Sequence, residues 1–239
     1  MKFSSRVVLP TILAVFIVFF VSASSGAQIL EVTSRTGLGG TDLVNWGQFG
    51  GSYTNVAQSS TFTSNNGLTG QISTSDSSQM QIRQQENGWS GNFTQGDYAL
   101  WAQTPGGYLN IAFNNPVSAA GANIMSNPYG SFNATITAYD SSNNQLGTFT
   151  EAGDSNGNND GSAIFLGVSS TMANISKITY TTDTSTNSSF PGFAINQLGI
   201  RQNPSTAVPE PGDLAFLLAG GFPGLALMLK RRFLRVQKG

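Results

Sequence analysis

Along this chain, polar and apolar positions alternate in short runs bounded by Gly, Asn, Asp or Pro far more often than they recur at helical spacing. The clearest run is residues 132–139. Phe132, Ala134, Ile136 and Ala138 fall on one face and mostly polar residues on the other, the pattern of a half-buried strand. Asp140 to Asn144 then turns the chain and Gln145 to Thr150 returns, so the pair reads as a hairpin. The same reading predicts strands at 28–33, 68–74, 80–84, 98–102, 107–114, 122–126, 163–168, 175–181 and 192–200. So many short strands with turn signals between them predict an all-β fold, an antiparallel β-sandwich that is jelly-roll-like. A β-solenoid would need a fixed repeat, and none is seen.

Two stretches break this pattern. Lys2 and Arg6 precede an apolar run from Val7 to Val21, interrupted by Pro10 and Thr11, and Ser25-Gly26-Ala27 offers the small residues a signal peptidase needs. Residues 1–27 therefore read as a signal peptide with Gln28 as the mature N-terminus; an uncleaved signal anchor is the alternative. Further on, Val208-Pro209-Glu210-Pro211 precedes an apolar run from Leu214 to Leu229, and Lys230-Arg231-Arg232 follows it. The prolines cannot continue a helix, the apolar run partitions into a bilayer, and the cationic cluster resists crossing it. As a single hydrophobic helix the run would span roughly 24 Å against a hydrocarbon core of about 30 Å, which is marginal for a permanent anchor. Gly220, Gly221, Pro223 and Gly224 within it favour a bend or close helix contact.

This order of parts resembles the PEP-CTERM sorting tail of bacterial exported proteins, a tail sometimes labelled as the C-terminal part of ice-binding proteins. The resemblance implies recognition and cutting by an exosortase, a membrane-embedded transpeptidase-like protease. Val208, Pro209, Glu210 and Pro211 would be the recognition element, residues 214–229 the transient membrane segment, and Lys230, Arg231 and Arg232 the stop. An ordinary tail anchor is the alternative. Residues 89–200 are also similar to a recurrent segment of such exported proteins, through Trp89-Ser90-Gly91-Asn92-Phe93, Gly96-Asp97, Ile111-Ala112-Phe113, Gly161 to Val168 and Phe193-Ala194-Ile195-Asn196. That likeness implies a sandwich and export, and no particular chemistry.

Between the targeting segments lies a body of about 180 residues, 28–207, the size of one ordinary domain, with 208–239 as the tail. The chain has no cysteine, so an exported body of this size rests on its core without disulfides. Arg35, Arg83, Lys177 and Arg201 face ten acids in the body, a net charge of −6 where the whole chain carries −1. No basic patch remains for nucleic acid. The absence of histidine and cysteine together excludes a Ser-His-Asp triad, a Cys nucleophile and the usual zinc or copper sites. What survives as enzyme chemistry is a carboxylate pair, as in a glycoside hydrolase, which needs two acids held about 5 to 9.5 Å apart.

Two groups of residues are candidates for binding. Asp154, Asn156, Asn158 and Asp160 place oxygen-bearing side chains two residues apart, a spacing that can supply a calcium loop, although Phe165 stands where an EF-hand needs Glu. A solvated hairpin tip is the plainer reading; no other cofactor is expected. Trp89 and Phe93 lie in one Gly-rich stretch, and Trp46, Phe49 and Tyr53 in another, where aromatic rings can stack on the C–H faces of sugars or plug the ends of a sandwich. Trp101 and Tyr108 read as packing residues. The pairs Thr61/Thr63, Thr135/Thr137 and Thr148/Thr150 are spaced irregularly in sequence, unlike the constant repeat of an ice-matching face. The expectation is a non-enzymatic exported protein of the envelope or extracellular matrix, associated with extracellular polysaccharide. Its partners would be signal peptidase, the exosortase and the membrane. A carbohydrate-binding module on Trp46, Trp89 and Phe93 is the alternative, and a carboxylate hydrolase a lower one.

Overall fold

The computed structural model describes residues 27–183 and 192–203. The signal-peptide stretch 1–26 and the sorting tail 208–239, with its apolar run, lie outside the described residues. Among those described, no helix is long and apolar enough to cross a membrane.

In chain order the strands are β1 (Ile29–Val32), β2 (Asp42–Val44), β3 (Asn55–Val56), β4 (Ser60–Thr63), β5 (Thr69–Thr74), β6 (Met80–Gln85), β7 (Gly88–Trp89) and β8 (Tyr98–Ala102). They continue as β9 (Leu109–Val117), β10 (Ala119–Ser126), β11 (Gly130–Tyr139), β12 (Gln145–Ser155), β13 (Ile164–Ser170), β14 (Ile175–Thr182), β15 (Phe193–Ile195) and β16 (Leu198–Arg201). One helical turn, α1 (Arg35–Leu38), and one 3-10 turn (Trp46–Phe49) interrupt them. The larger sheet has ten strands, with the path β1-β13-β10-β15-β8-β6-β3; β16 joins it between β10 and β2, and β7 pairs with β6. The smaller has six, in the order β12-β11-β14-β9-β5-β4. Neighbours are antiparallel except β6 and β7, so the protein is mostly β and built of two antiparallel-rich sheets, as the alternation predicts.

The sheets share one core. Ile72, Ile111, Ile136 and Ile178 from the smaller sheet pack in the same buried cluster as Ile82, Leu100, Ile124, Leu166 and Ile195 from the larger. Tyr180, buried on β14, donates its hydroxyl to the Leu166 carbonyl on β13 at 2.8 Å and so ties one sheet to the other. The smaller sheet keeps a largely polar outer face, as on β11, where Phe132, Ala134, Ile136 and Ala138 point inward. Its Thr135 faces Thr150 and Thr181, and Thr137 faces Thr148 and Thr179. The larger sheet has almost no such face: β8, β10 and β15 are buried nearly throughout. Their second face is covered from outside. Leu38 of α1 packs on Val32, Ala119 and Phe165, while Trp89 and Phe93, from the connection between β6 and β8, pack beside Trp101 and Met125.

The hairpin turns where the sequence places it. Asp140 accepts from the backbone N–H groups of Ser142 and Asn144 at 2.9 and 2.8 Å and holds the tip. Its second strand runs on to Ser155, further than the alternation predicts. The strand expected at 192–200 is two strands. β15 pairs with β8 on its far side, whereas β16 pairs with β2, and the partner changes at Asn196 and Gln197.

Asn196 is the reason for the break. Its side-chain oxygen accepts from the Asn123 N–H at 2.9 Å and from Arg35 at 3.0 Å, and its amide donates to Asp97 at 2.9 Å. Its backbone carbonyl accepts the Trp46 indole N–H at 2.7 Å, and its own N–H donates to the Asn123 carbonyl at 3.0 Å. A side chain with this many buried partners cannot be shortened without leaving several of them unpaired. Asn196→Ala is expected to cost about 2–3 kcal/mol, read as a lower urea midpoint at unchanged slope.

Candidate ligand-binding cleft

The connection from β6 to β8 is pinned at both ends. The Gln85 N–H donates to the Asp97 carbonyl at 2.9 Å, and the side chain of Asp97 is held by Asn196. Between these points Trp89 and Phe93 turn inward, their ring centroids 6.4 Å apart, with Trp89 6.0 Å from Trp101. The Trp89 indole donates to the Met125 sulfur at 3.2 Å, and Gly91 lets the chain pass there, since a Cβ would sit 2.4 Å from that sulfur.

Where this connection leaves the sheet uncovered, a cleft of about 390 Å³ opens, lined by Arg83, Gly88, Trp89, Ser90, Trp101, Asn127 and Tyr129. Arg83 and Trp101 lie on adjacent strands β6 and β8, on the face opposite the core residues Ile82 and Leu100. The Arg83 guanidinium lies 4.3 Å from the Tyr53 ring centroid and 4.7 Å from that of Trp101, within cation–π range of both. Burial lowers its pKa while the Tyr53 hydroxyl pushes it back up, and an arginine stays charged at neutral pH under such a shift. Tyr53 is 60% exposed and its backbone is in the left-handed region at φ 72°, held by its N–H on the Ile82 carbonyl at 2.8 Å. Gly88, itself at φ 92°, allows the ring to lie close, because a Cβ there would come within 2.9 Å of it. Tyr129, in the lining of the cleft, is also 60% exposed, and its hydroxyl donates to the Ser90 carbonyl at 2.9 Å.

The sequence places the binding aromatics differently, and three of them are corrected. Trp46 is wholly buried, with its indole on the Asn196 carbonyl and its ring against Phe49 and Phe62 at 6.5 and 6.0 Å. Phe93 and Trp89 are buried too, at 1% and 7% exposure, so no sugar ring can stack on these faces. They plug the sandwich because the second face of the larger sheet must be covered. Trp89 keeps only an edge in the cleft. Tyr108, read as packing, is 48% exposed. Arg83, Asn127 and Tyr129 carry no sequence signal of their own, apart from the Asn-Pro turn before Tyr129.

The four residues of the expected calcium loop serve the chain itself. Asp154 belongs to β12 and accepts from Ser131 at 3.3 Å; Asn156 accepts from the Asn158 N–H at 2.9 Å. Asp160 accepts from the hydroxyl and N–H of Ser162, which hold its pKa below the usual carboxylate range. The loop is tied down by the buried Asn92, which accepts from the Asn156 N–H at 2.7 Å and donates to Ser162 at 2.9 Å. Among the described residues no three acidic side chains gather as metal ligands.

A second cleft, of about 330 Å³, includes Arg35, Asp42 and Asn66 in its lining. Its charged groups are engaged: Arg35 donates to Asn123, Asn196 and the Gln197 carbonyl, and Asp42 accepts from Ser64 at 2.5 Å and from Gln202 and the Asn66 N–H at 2.9 Å. A third, beside Asp154 and Asp183, holds Asp183 on the backbone and side-chain amides of Asn133, which keep its pKa low.

No family description and no curated protein matches this sequence. Among solved structures, the crystal structure of a DUF4465 family protein from Bacteroides caccae is similar to this chain at a TM-score of 0.39 and 12% identity, over 72% of this chain and 100% of that one.

Two outcomes follow from this geometry. Phe93→Ala is expected to lose about 3 kcal/mol of stability, the cost of a buried ring, as measured by urea unfolding. Burial raises the Asp42 pKa, but its hydrogen bonds outweigh this and leave it below the ordinary value near 4. The stability it contributes is therefore full above that value and is lost as pH falls through the lower folded one. Asp42→Asn is expected to lower the melting temperature at pH 7 and to flatten its decline below about pH 4.

Proposed function

We propose that this protein is an exported, non-enzymatic component of the cell envelope or extracellular matrix, a jelly-roll-like sandwich that holds extracellular polysaccharide through the Arg83 cleft. Export and sorting rest on the sequence: the signal-peptide pattern of residues 1–27, and Val208 to Pro211 with the apolar run and Lys230 to Arg232 after it. An exosortase-type protease would release the body from the membrane. The binding reading rests on the cleft, with Tyr53 and Tyr129 in place of Trp46, Trp89 and Phe93.

One observation carries the binding reading. Tyr53 and Tyr129 are each 60% exposed, the first against the Arg83 guanidinium and the second in the lining of the same cleft, and burial explains neither ring. Exposed rings beside polar groups suit the alternating C–H faces and hydroxyls of a saccharide. The poverty of the body in charge, with its wealth of Ser, Thr, Asn and Gln, suits contact with a hydrated polymer.

Sorting is tested by intact mass and fractionation of the native protein in cells with and without the exosortase. The expected mature species lacks residues 1–27 and the Lys230-Arg231-Arg232 end, and is released only when the protease is present. A full tail retained in the membrane in both strains would make the tail a plain anchor.

A further inference from the structure

We infer that the Arg83 cleft selects saccharides bearing a carboxylate, of the hexuronate class, over neutral ones; this rests on the polysaccharide-binding reading and names its ligand. The body has four cations, and three of them are spent on the fold. Arg35 is held by Asn123, Asn196 and the Gln197 carbonyl. Arg201 is held by Ser118 and the Leu38 carbonyl at 3.1 Å each, and Lys177 by Asn143 and the Tyr139 ring. Arg83 is different. Among the described residues it meets two aromatic rings and the Tyr53 hydroxyl, but no carboxylate and no carbonyl oxygen.

That is an unusual position for a guanidinium in a body that carries ten acids. A charge partly withdrawn from water is ordinarily matched by an acid or by carbonyl oxygens. Here the Arg83 Nε is buried without a partner, and so is the Trp101 Nε1 in the wall beside it. Both rings lie within cation–π range of the guanidinium, and among the described residues no acid or carbonyl competes for the fork that binds a carboxylate through two parallel N–H groups. Lysine would offer only a point charge. Beside Arg83 the cleft presents Tyr129 as a stacking surface, with Ser90 and Asn127 at the wall, and the exposed Tyr53 ring borders it through its contact with the guanidinium. A six-membered ring carrying one carboxylate has both complements: C–H faces for the tyrosines and an anionic fork for Arg83. A cleft of about 390 Å³ accommodates one or two such rings. Because the body is net acidic, attraction is confined to this point, and the interaction reads as one ion pair, with no long basic track for a polyanion.

The test is calorimetric titration of the full-length chain with oligomers of glucuronate, galacturonate and mannuronate, their methyl esters, and the matching neutral hexose oligomers. The ester keeps the ring and removes the charge. At least one acid is expected to bind about 10- to 100-fold more tightly than its ester, and Arg83→Gln to abolish that difference while leaving weak binding of the neutral ring. Arg83→Lys is expected to recover part of the preference. Tyr129→Ala, at an exposed position, is expected to weaken acid and ester together at an unchanged melting temperature, which keeps the test decisive should Arg83→Gln fail to fold. Equal binding of acids and esters would overturn the carboxylate preference and leave the polysaccharide reading standing. Binding of none of the sugars would overturn both.

Discussion

The structure turns on the five hydrogen bonds of Asn196. They convert what reads as one strand into two that share β10 but take different outer partners, and so let the larger sheet widen to ten strands. The same residue seats the Trp46 indole, steadies Arg35 and fixes Asp97. Through Asp97 it holds one end of the connection that carries Trp89 and Phe93, and the extent of that connection determines where the cleft lies. A single buried amide thus couples the topology of the larger sheet to the candidate binding surface. Amide chemistry suits the position, because a side chain that must both accept twice and donate to a carboxylate needs an acceptor and a donor on one carbon.

The asymmetry between the sheets explains where the aromatic residues went. The smaller sheet meets the core with one face and keeps Thr, Asn and Gln on the other, the usual condition of an antiparallel sheet. The larger sheet is buried on both faces along β8, β10 and β15, and an outer face so rich in apolar residues must be covered. One short helical turn and one Gly-rich connection do this with Leu38, Trp89 and Phe93. The cover is incomplete at Arg83, so the cleft is a consequence of how far the covering connection reaches.

How much of this was legible depended on whether the cause was local. Residues 132–139 and the turn after them were readable because the period of two and the turn-forming Asp140 lie within a dozen residues. The strands β2, β3, β4 and β7 were missed because each is two to four residues long and is defined by its partner; β2, for instance, exists through its pairing with β16. The threonine pairs looked irregular along the chain, yet the hairpin folds them into facing ranks, with Thr135 and Thr150 hydroxyls 2.8 Å apart and those of Thr137 and Thr148 2.9 Å apart. Sequence spacing does not measure spacing across a sheet. Trp46, Trp89 and Phe93 were misplaced for the opposite reason: their Gly, Asn, Ser and Gln neighbours look like exposed loops, but those neighbours bend the backbone so that the rings can turn inward. Arg83 was invisible because Gln81-Ile82-Arg83-Gln84 is an ordinary alternating strand until the elements beside it are known.

The position of Tyr53 bears on why the cleft is built as it is. A tyrosine in the left-handed backbone region carries a cost of order 1 kcal/mol, and this one recovers little of it by burial. Its ring instead lies on Arg83, a contact worth about 0.5 to 2 kcal/mol, which offsets the strain and part of the guanidinium's desolvation. Neither Tyr53 nor Trp101 can neutralise the charge, because a ring face attracts a cation without supplying an anion. The tyrosine therefore meets the guanidinium with its ring and hydroxyl and leaves it without an anionic partner among the described residues. A purely structural arginine would be arranged the other way, with its edge on carbonyl oxygens, as Arg35 and Arg201 are in the same sheet region. That contrast among the arginines of one small acidic body is what the proposed role of Arg83 in binding rests on.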